Sequence, residues 1–365
     1  MKKLLFDLNH PAHFYLFHHV ISELKKTNDI YITAKKKDVL LDLLSKYNYK
    51  FDVLEYKERG DKLYSSAINL IKRDYKLFKL IRIINPDLVI GTSVSITHVG
   101  KILRIPSLYF GEDGFECVPL SYKFAYPFAT YLITPDNVSV GKYNKKQIKY
   151  CGYHELAYLH PNRFQPDVSV LKEAGIKEGE KFFIMRFNAF KAHHDIGIMG
   201  ISLQNKLKLV NLLNEYGKVF ITTEREIEPE LKQYQYKLHP AKIHSFLNYA
   251  TMFIGDSQTM TSEAVVLGIP AFKCNSFAGR LSVHNELENK YGLCFSYNPQ
   301  DFSKMLDKIK SVLNNPNSKI EWACKKVKMI EDKIDVTTFL VWFLENYPDS
   351  VTEFTQNPNL QYQFK

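Results

Sequence analysis

No apolar run in the chain reaches the ~20 residues that a bilayer core demands, so a membrane-spanning helix is not expected. Cysteine is sparse and scattered. The five at positions 117, 151, 274, 294 and 324 contain no Cys-x-x-Cys pair, supporting neither a zinc site nor a disulfide framework and implying free thiols in a reducing compartment. The Met-Lys-Lys start runs straight into a strand-like segment without a cleavage pattern. The expected location is therefore cytoplasmic, with attachment to the inner membrane face left open. No zinc-finger, RNA-recognition or helix-turn-helix signature accompanies the formal charge of +10, and nucleic acid is not an expected partner. Lysines at 35–37, 142–149 and 325–328 give a surface that favours acidic lipid headgroups or nucleotide phosphates, although solvated helix faces account for most of it. The remaining composition, 45% hydrophobic and 24% charged over 365 residues, is that of an ordinary globular protein large enough for two cores.

The most informative stretch is IGDSQTMTSEAVVLGIPAFKC, residues 254–274. A short apolar strand at 251–254 passes through a Gly-Asp-Ser-Gln turn into a helix with Met260, Ala264, Val265 and Leu267 on its apolar face. Gly268 stops that helix, and Pro270 leads into another strand at 271–274. Ser257 can cap the helix, while Gln258, Thr259, Thr261 and Ser262 crowd polar groups into its first turns. Unpaired backbone N–H groups and the positive end of the helix dipole favour an anion there, and a diphosphate suits the place. Glu263, one turn deeper, repels phosphate and suits a neutral diol such as a ribose. The pattern Asp256-Ser257-Gln258, Glu263-Ala264, Leu267-Gly268-Ile269-Pro270 resembles the donor-nucleotide helix of GT-B glycosyltransferases and of UDP-N-acetylglucosamine 2-epimerases.

The first half alternates strand and helix. After a strand at 3–8, the loop Asn9-His10-Pro11-Ala12-His13 enters an apolar helix, and such a loop at a strand's carboxyl end is well placed for a site. His13 is the candidate general base, because imidazole titrates near neutrality. His18 and His19 read as packing residues. Residues 63–84 form an amphipathic helix with basic residues between its apolar positions, whose basic side could touch a membrane or an acidic partner. A strand at 87–91 precedes Thr92, Ser93, Ser95 and His98, and a strand at 106–110 precedes Glu112, Asp113 and Glu116, candidates for acid, base or hydroxyl binding. The domain change is placed within 151–166, which lacks periodicity.

In the second half a strand at 181–187 leads into Asn188 to Asp195. Arg186, Lys191, His193 and His194 could neutralise a diphosphate. A metal held by His193, His194 and Asp195 is the rival reading, but adjacent histidines on one loop seldom converge on an ion, and no metal or cofactor is expected. Arg280 is a further phosphate-reaching candidate. Helices at 300–314 and 322–344 end the fold, with a loosely held tail after Pro348.

The phrases FDLNHPAHFYLF, GYHELAYLHP and GDSQTMTSEAVVLGIPA resemble an uncharacterised prokaryotic family of GT-B-like proteins related to those epimerases and glycosyltransferases. The resemblance implies a GT-B-like α/β fold with two Rossmann-like domains facing across a cleft, at 1–152 on the acceptor side and 153–345 on the nucleotide-sugar side, and a tail at 346–365. It also implies a sugar transferred from a nucleoside diphosphate sugar, UDP the expected nucleotide, to a polysaccharide or lipid-linked acceptor. Compared with the 2-epimerases, Glu112 and one of His193 and His194 find counterparts, whereas Thr92 and Ser93 stand where those enzymes carry an Asp. A 2-epimerase-like activity and a non-catalytic nucleotide-sugar binder are the alternatives, and a homodimer stays open.

Overall fold

The structure is a computed structural model describing residues 1–37, 39–54, 63–187, 200–223 and 226–365. The chain divides into two compact units, Met1–Tyr158 with Lys333–Lys365, and Leu159–Asp332. In the first unit, β1 (Lys3–Leu8), β2 (Asp29–Ala34), β3 (Asp52–Val53), β4 (Leu88–Gly91), β5 (Ser107–Phe110), β6 (Tyr131–Pro135) and β7 (Gln147–Tyr150) form one sheet ordered β3-β2-β1-β4-β5-β6-β7. In the second, β8 (Phe182–Phe187), β9 (Lys218–Thr223), β10 (Met252–Gly255), β11 (Ala271–Cys274) and β12 (Cys294–Tyr297) form a sheet ordered β12-β11-β10-β8-β9.

Every strand pair in both sheets is parallel. The central strands are near-continuous apolar runs, such as Leu88-Val89-Ile90 and Phe182-Phe183-Ile184-Met185, all buried. Such strands need cover on both faces, which crossover helices supply. The first helix, Pro11–Leu24, buries Phe14, Phe17, Val20, Ile21 and Leu24 at helical spacing. Each sheet has a place where its order reverses, between β1 and β4 and between β8 and β10, and loops diverge there to leave room for a ligand.

Both reversal points require glycine for the same reason. Gly91 pairs with Asp7 and Gly255 with Arg186. A Cβ on Gly91 would lie 2.6 Å from the Asp7 carbonyl oxygen, and one on Gly255 would lie 2.3 Å from that of Arg186. Backbone atoms cannot yield as a flexible side chain can.

The unit boundaries differ from those expected at 152 and 345. The chain returns to the first unit at Lys333, so the expected helix at 322–344 is two helices, Ser318–Asp332 and Val336–Glu345. Asp335 caps the second, its Oδ1 accepting from the Thr338 N–H at 3.1 Å. The expected loose tail is instead held by the first unit. Residues Asp349–Gln356 form a helix, Phe354 and Phe364 pack on Phe339, and the Gln361 side-chain oxygen accepts from the Cys151 N–H at 2.6 Å. The Lys2 ammonium binds the backbone carbonyls of Leu344, Glu345 and Tyr347, which end this returning helix.

Gly255→Ala is expected to cost about 1–3 kcal/mol or more through overpacking against the Arg186 backbone. Urea unfolding measures it, and an unchanged midpoint would show that β8 and β10 can separate freely.

Candidate functional site

In the second unit the polar turn after β10 opens the helix Gln258–Leu267 as expected. The Ser257 hydroxyl accepts from the Met260 N–H at 3.4 Å, and Gly268 closes the helix with φ at 81°. The helix is buried from Met260 onward, while Gln258 and Thr259 are half-exposed at its start. The anion-favouring end of the dipole is thus the accessible end. Arg186 stands at the reversal point beside Gly255, its carbonyl accepting from the Asp256 N–H at 3.2 Å. Arg280 is exposed, with its guanidinium 5.5 Å from the Phe277 ring centre. Lys191, His193, His194 and Asp195 lie outside the described residues.

Glu263 is 4% exposed and faces a polar side chain. Its Oε1 lies 2.9 Å from Nε2 of His244, a buried residue of the helix Ile243–Tyr249, in which the imidazole N–H can donate. A second buried chain supports the first turn of the Gln258–Leu267 helix. His284 places Nε2 3.1 Å from the Ser262 hydroxyl and accepts at Nδ1 from the Lys273 side chain at 2.7 Å. Burial, then the neighbouring Lys273 charge, holds the His284 imidazole well below its usual range, opposed by a hydrogen bond to the Gln258 backbone. His284 therefore stays neutral and keeps its proton on Nε2, tethering the helix start.

In the first unit the loops after β1 and β4 meet at the reversal point. Asp7, fully buried, accepts from Arg73 Nη2 at 2.6 and 2.8 Å, from the Thr33 hydroxyl at 2.7 Å and from the Ser93 hydroxyl. Arg73 also donates to Asn9 Oδ1 at 2.6 Å, tying the next loop to the same centre. His10 accepts at Nδ1 from the Ala12 N–H at 3.2 Å and caps the first helix. His13 accepts at Nδ1 from the Asn9 N–H at 3.3 Å and lies 2.8 Å from the Thr92 hydroxyl. Desolvation, followed by repulsion from His10, His154, Lys37 and Arg73, puts the His13 pKa well below the usual histidine value, so it is neutral at pH 7 and a weak base.

The three acidic residues of the 112–116 loop have separate surroundings. Glu112 is half-buried, with Oε2 3.5 Å from Nδ1 of His154. Glu112 Oε1, His154 Nε2 and the Tyr150 hydroxyl are buried and make no hydrogen bond with other protein atoms. Burial lowers the His154 pKa, and Glu112 opposes that shift. Asp113 acts instead on the Tyr109 and Tyr126 hydroxyls, and Glu116 is exposed. His18 packs as expected, stacked on Phe14 with Nδ1 2.9 Å from the Tyr49 hydroxyl.

The buried partners were not identified from sequence, but some carry a signal. Arg73 stands four and eight residues before the buried Leu77 and Ile81, hence on the inward helix face. Asp7 is the lone acid of β1, and Lys273 is the lone charge of β11. His244 and His154 carry no comparable mark. Among the described residues, no cluster of three or more His, Cys, Asp or Glu could hold a metal.

Two parallel α/β units, each with polar loops gathered at its reversal point, define a GT-B-like protein. The chain belongs to the family described as Protein of unknown function (DUF354), which matches residues 2–341. No curated protein matches by sequence. Among solved structures it is similar to S. aureus MnaA in a co-structure with UDP, at 14% identity and a TM-score of 0.68, covering 96% of this chain and 98% of that one. It is also similar to the UDP-GlcNAc 2-epimerase from Neisseria meningitidis bound to UDP-GlcNAc, at 14% identity and a TM-score of 0.63, covering 94% and 99%. A third is the glycotransferase of kitacinnamycin, at 9% identity and a TM-score of 0.60, covering 94% and 98%. At these identities the likeness establishes the fold.

Arg73→Met is expected to destabilise the protein by about 3–5 kcal/mol, because it leaves the Asp7 carboxylate buried and unpaired by charge. A loss below about 1 kcal/mol in denaturant unfolding would show that the two hydroxyls suffice. The neutral histidines also set a pH dependence. Below about pH 6.5 the unfolded chain takes up protons that folded His13, His154 and His284 refuse, so stability falls as pH drops. Melting temperature should decline from pH 7 to 5, with a shallower slope in His284→Gln; an equal slope in that variant would remove His284 from the account.

Proposed function

We propose that the protein is a nucleotide-sugar enzyme, a glycosyltransferase that passes the sugar of a UDP-linked donor to a polysaccharide or lipid-linked acceptor. The observation that carries this reading is the accessible start of the Gln258–Leu267 helix, capped by Ser257 and backed by the Glu263–His244 pair. Its N–H groups and dipole suit a diphosphate. The His244 contact holds the Glu263 carboxylate in a fixed orientation, and hydroxyl recognition is the role that fits a buried acid there. Arg186 stands one strand away and supports the phosphates, with His193 or His194, Thr259 and Arg280 as further candidates. Two of the similar structures hold UDP and UDP-GlcNAc, which supports the nucleotide.

For the chemistry, an acceptor hydroxyl must lose a proton as the sugar–phosphate bond breaks. Glu112 is the preferred base. It is half-buried, its Oε1 makes no hydrogen bond with other protein atoms, and His154 lies beside Oε2 to orient it. His13, neutral and already accepting from Asn9, fits a hydrogen-bonding role better than a proton-abstracting one, and Asp113 and Glu116 fit less well than Glu112. The second reading is a 2-epimerase, favoured by full-length likeness to such enzymes and by Glu112 after β5. Against it stands Thr92, bonded to His13, at the place where the resemblance leads one to expect an Asp.

Ligand at a hundredfold excess over Kd contributes about 2.7 kcal/mol of stability, so one UDP-sugar in a panel should raise the melting temperature by several degrees. Glu112→Gln should keep that rise, with transfer to a cell-envelope acceptor fraction falling about 10²–10⁴-fold. Glu263→Gln should lose the rise, and retention there would sink the assigned nucleotide site. Turnover of UDP-N-acetylglucosamine alone to its 2-epimer would replace the transferase reading by the epimerase one; a shift without turnover in either assay would leave a binder.

A further inference from the structure

We propose that the exposed face of the helix Leu63–Ile84 docks the first unit on an anionic membrane surface. Its buried face carries Arg73, Leu77, Ile81 and Ile84. At 3.6 residues per turn, Ile68, Ile71, Tyr75 and Ile83 fall on the opposite side, within an arc of about 140°. They are exposed by 51, 67, 58 and 82%, an unusual load of large apolar groups on one solvent-facing stripe. Lys72, Lys76, Lys79 and Arg82 are exposed within the same arc, and Lys79 lies 4.4 Å above the Tyr75 ring.

Acidic residues are missing from this stripe. The single acid of the helix, Asp74, points away from it and binds His98 Nδ1 at 2.8 Å. His98 also reaches the Phe124 carbonyl at 2.7 Å and meets the Phe128 ring at 5.0 Å, and both of those aromatics are exposed. Exposed Lys101 and Lys123 add charge of the same sign. Cations alone would suit any polyanion. Isoleucines projecting between them over some 22 Å of helix suit a surface with phosphate at its face and hydrocarbon just beneath. No described helix is long and apolar enough to cross a membrane, so the contact proposed is one that lies on the bilayer.

The test is co-sedimentation of the full chain with phosphatidylcholine vesicles, with and without phosphatidylglycerol. Binding is expected only when phosphatidylglycerol is present. Lys72→Gln/Lys79→Gln/Arg82→Gln should weaken it about a hundredfold, roughly fivefold for each cation removed. Ile71→Ser/Ile83→Ser should also weaken it and leave a remainder that salt abolishes. All five positions are exposed, and unchanged melting temperatures would verify that the variants fold. Absence of binding to acidic vesicles overturns the proposal. Binding insensitive to either variant does so too, as does a loss confined to the charge variant, which would mark a surface for a soluble polyanion.

Discussion

A carboxylate sealed from water organises the first unit. Asp7 sits at the carboxyl end of β1 and is reached by Arg73 from a helix, by Thr33 from β2 and by Ser93 from the loop after β4. A buried charge is tolerated only when its partners are in place, and here the partners come from three segments far apart in sequence. Satisfying Asp7 therefore also sets where three strands end. Through Asn9 it holds the loop that presents His13 to Thr92. Loop position follows from a charge that has to be paired.

The second unit solves a similar problem with different residues. The loop after β10 also leaves a reversal point and passes a glycine that cannot accept a side chain. The buried polar support beneath it is the Lys273–His284–Ser262 chain and the Glu263–His244 pair. These histidines are buried and hydrogen-bonded, which restricts tautomer and ring orientation. Both units thus place buried, hydrogen-bonded polar groups under a loop whose outer residues stay accessible. Preorganisation of this kind is what ligand recognition requires, because a side chain that is already held loses little freedom on binding.

The returning segment shows how the same economy shapes domain organisation. Residues Lys333–Lys365 complete the first unit, with Val336–Glu345 beside the first helix and Phe354 and Phe364 against Phe339. Val336, Phe339, Leu340, Phe343 and Leu344 advertise an apolar helix, but nothing local says which unit it joins. They become buried only against a surface built more than three hundred residues earlier. The Asp335 cap was visible as a residue, yet its meaning depended on the chain changing units at Lys333, which no local pattern reveals.

From the order of its residues alone the chain declares two α/β halves, the strand–turn–helix–strand unit around Ser257 and Glu263, and the loops bearing His13 and Glu112. Those features rest on local rules: apolar runs make buried parallel strands, serine caps a helix, glycine and proline stop one. Tertiary structure alone decided which polar side chains meet. Glu263 with His244, Glu112 with His154 and Asp7 with Arg73 are 19, 42 and 66 residues apart, so the pairings arise from strand order, which local propensity does not encode. The same distance in sequence kept Asp113 and Glu116 indistinguishable from Glu112 until the fold gave each its own surroundings.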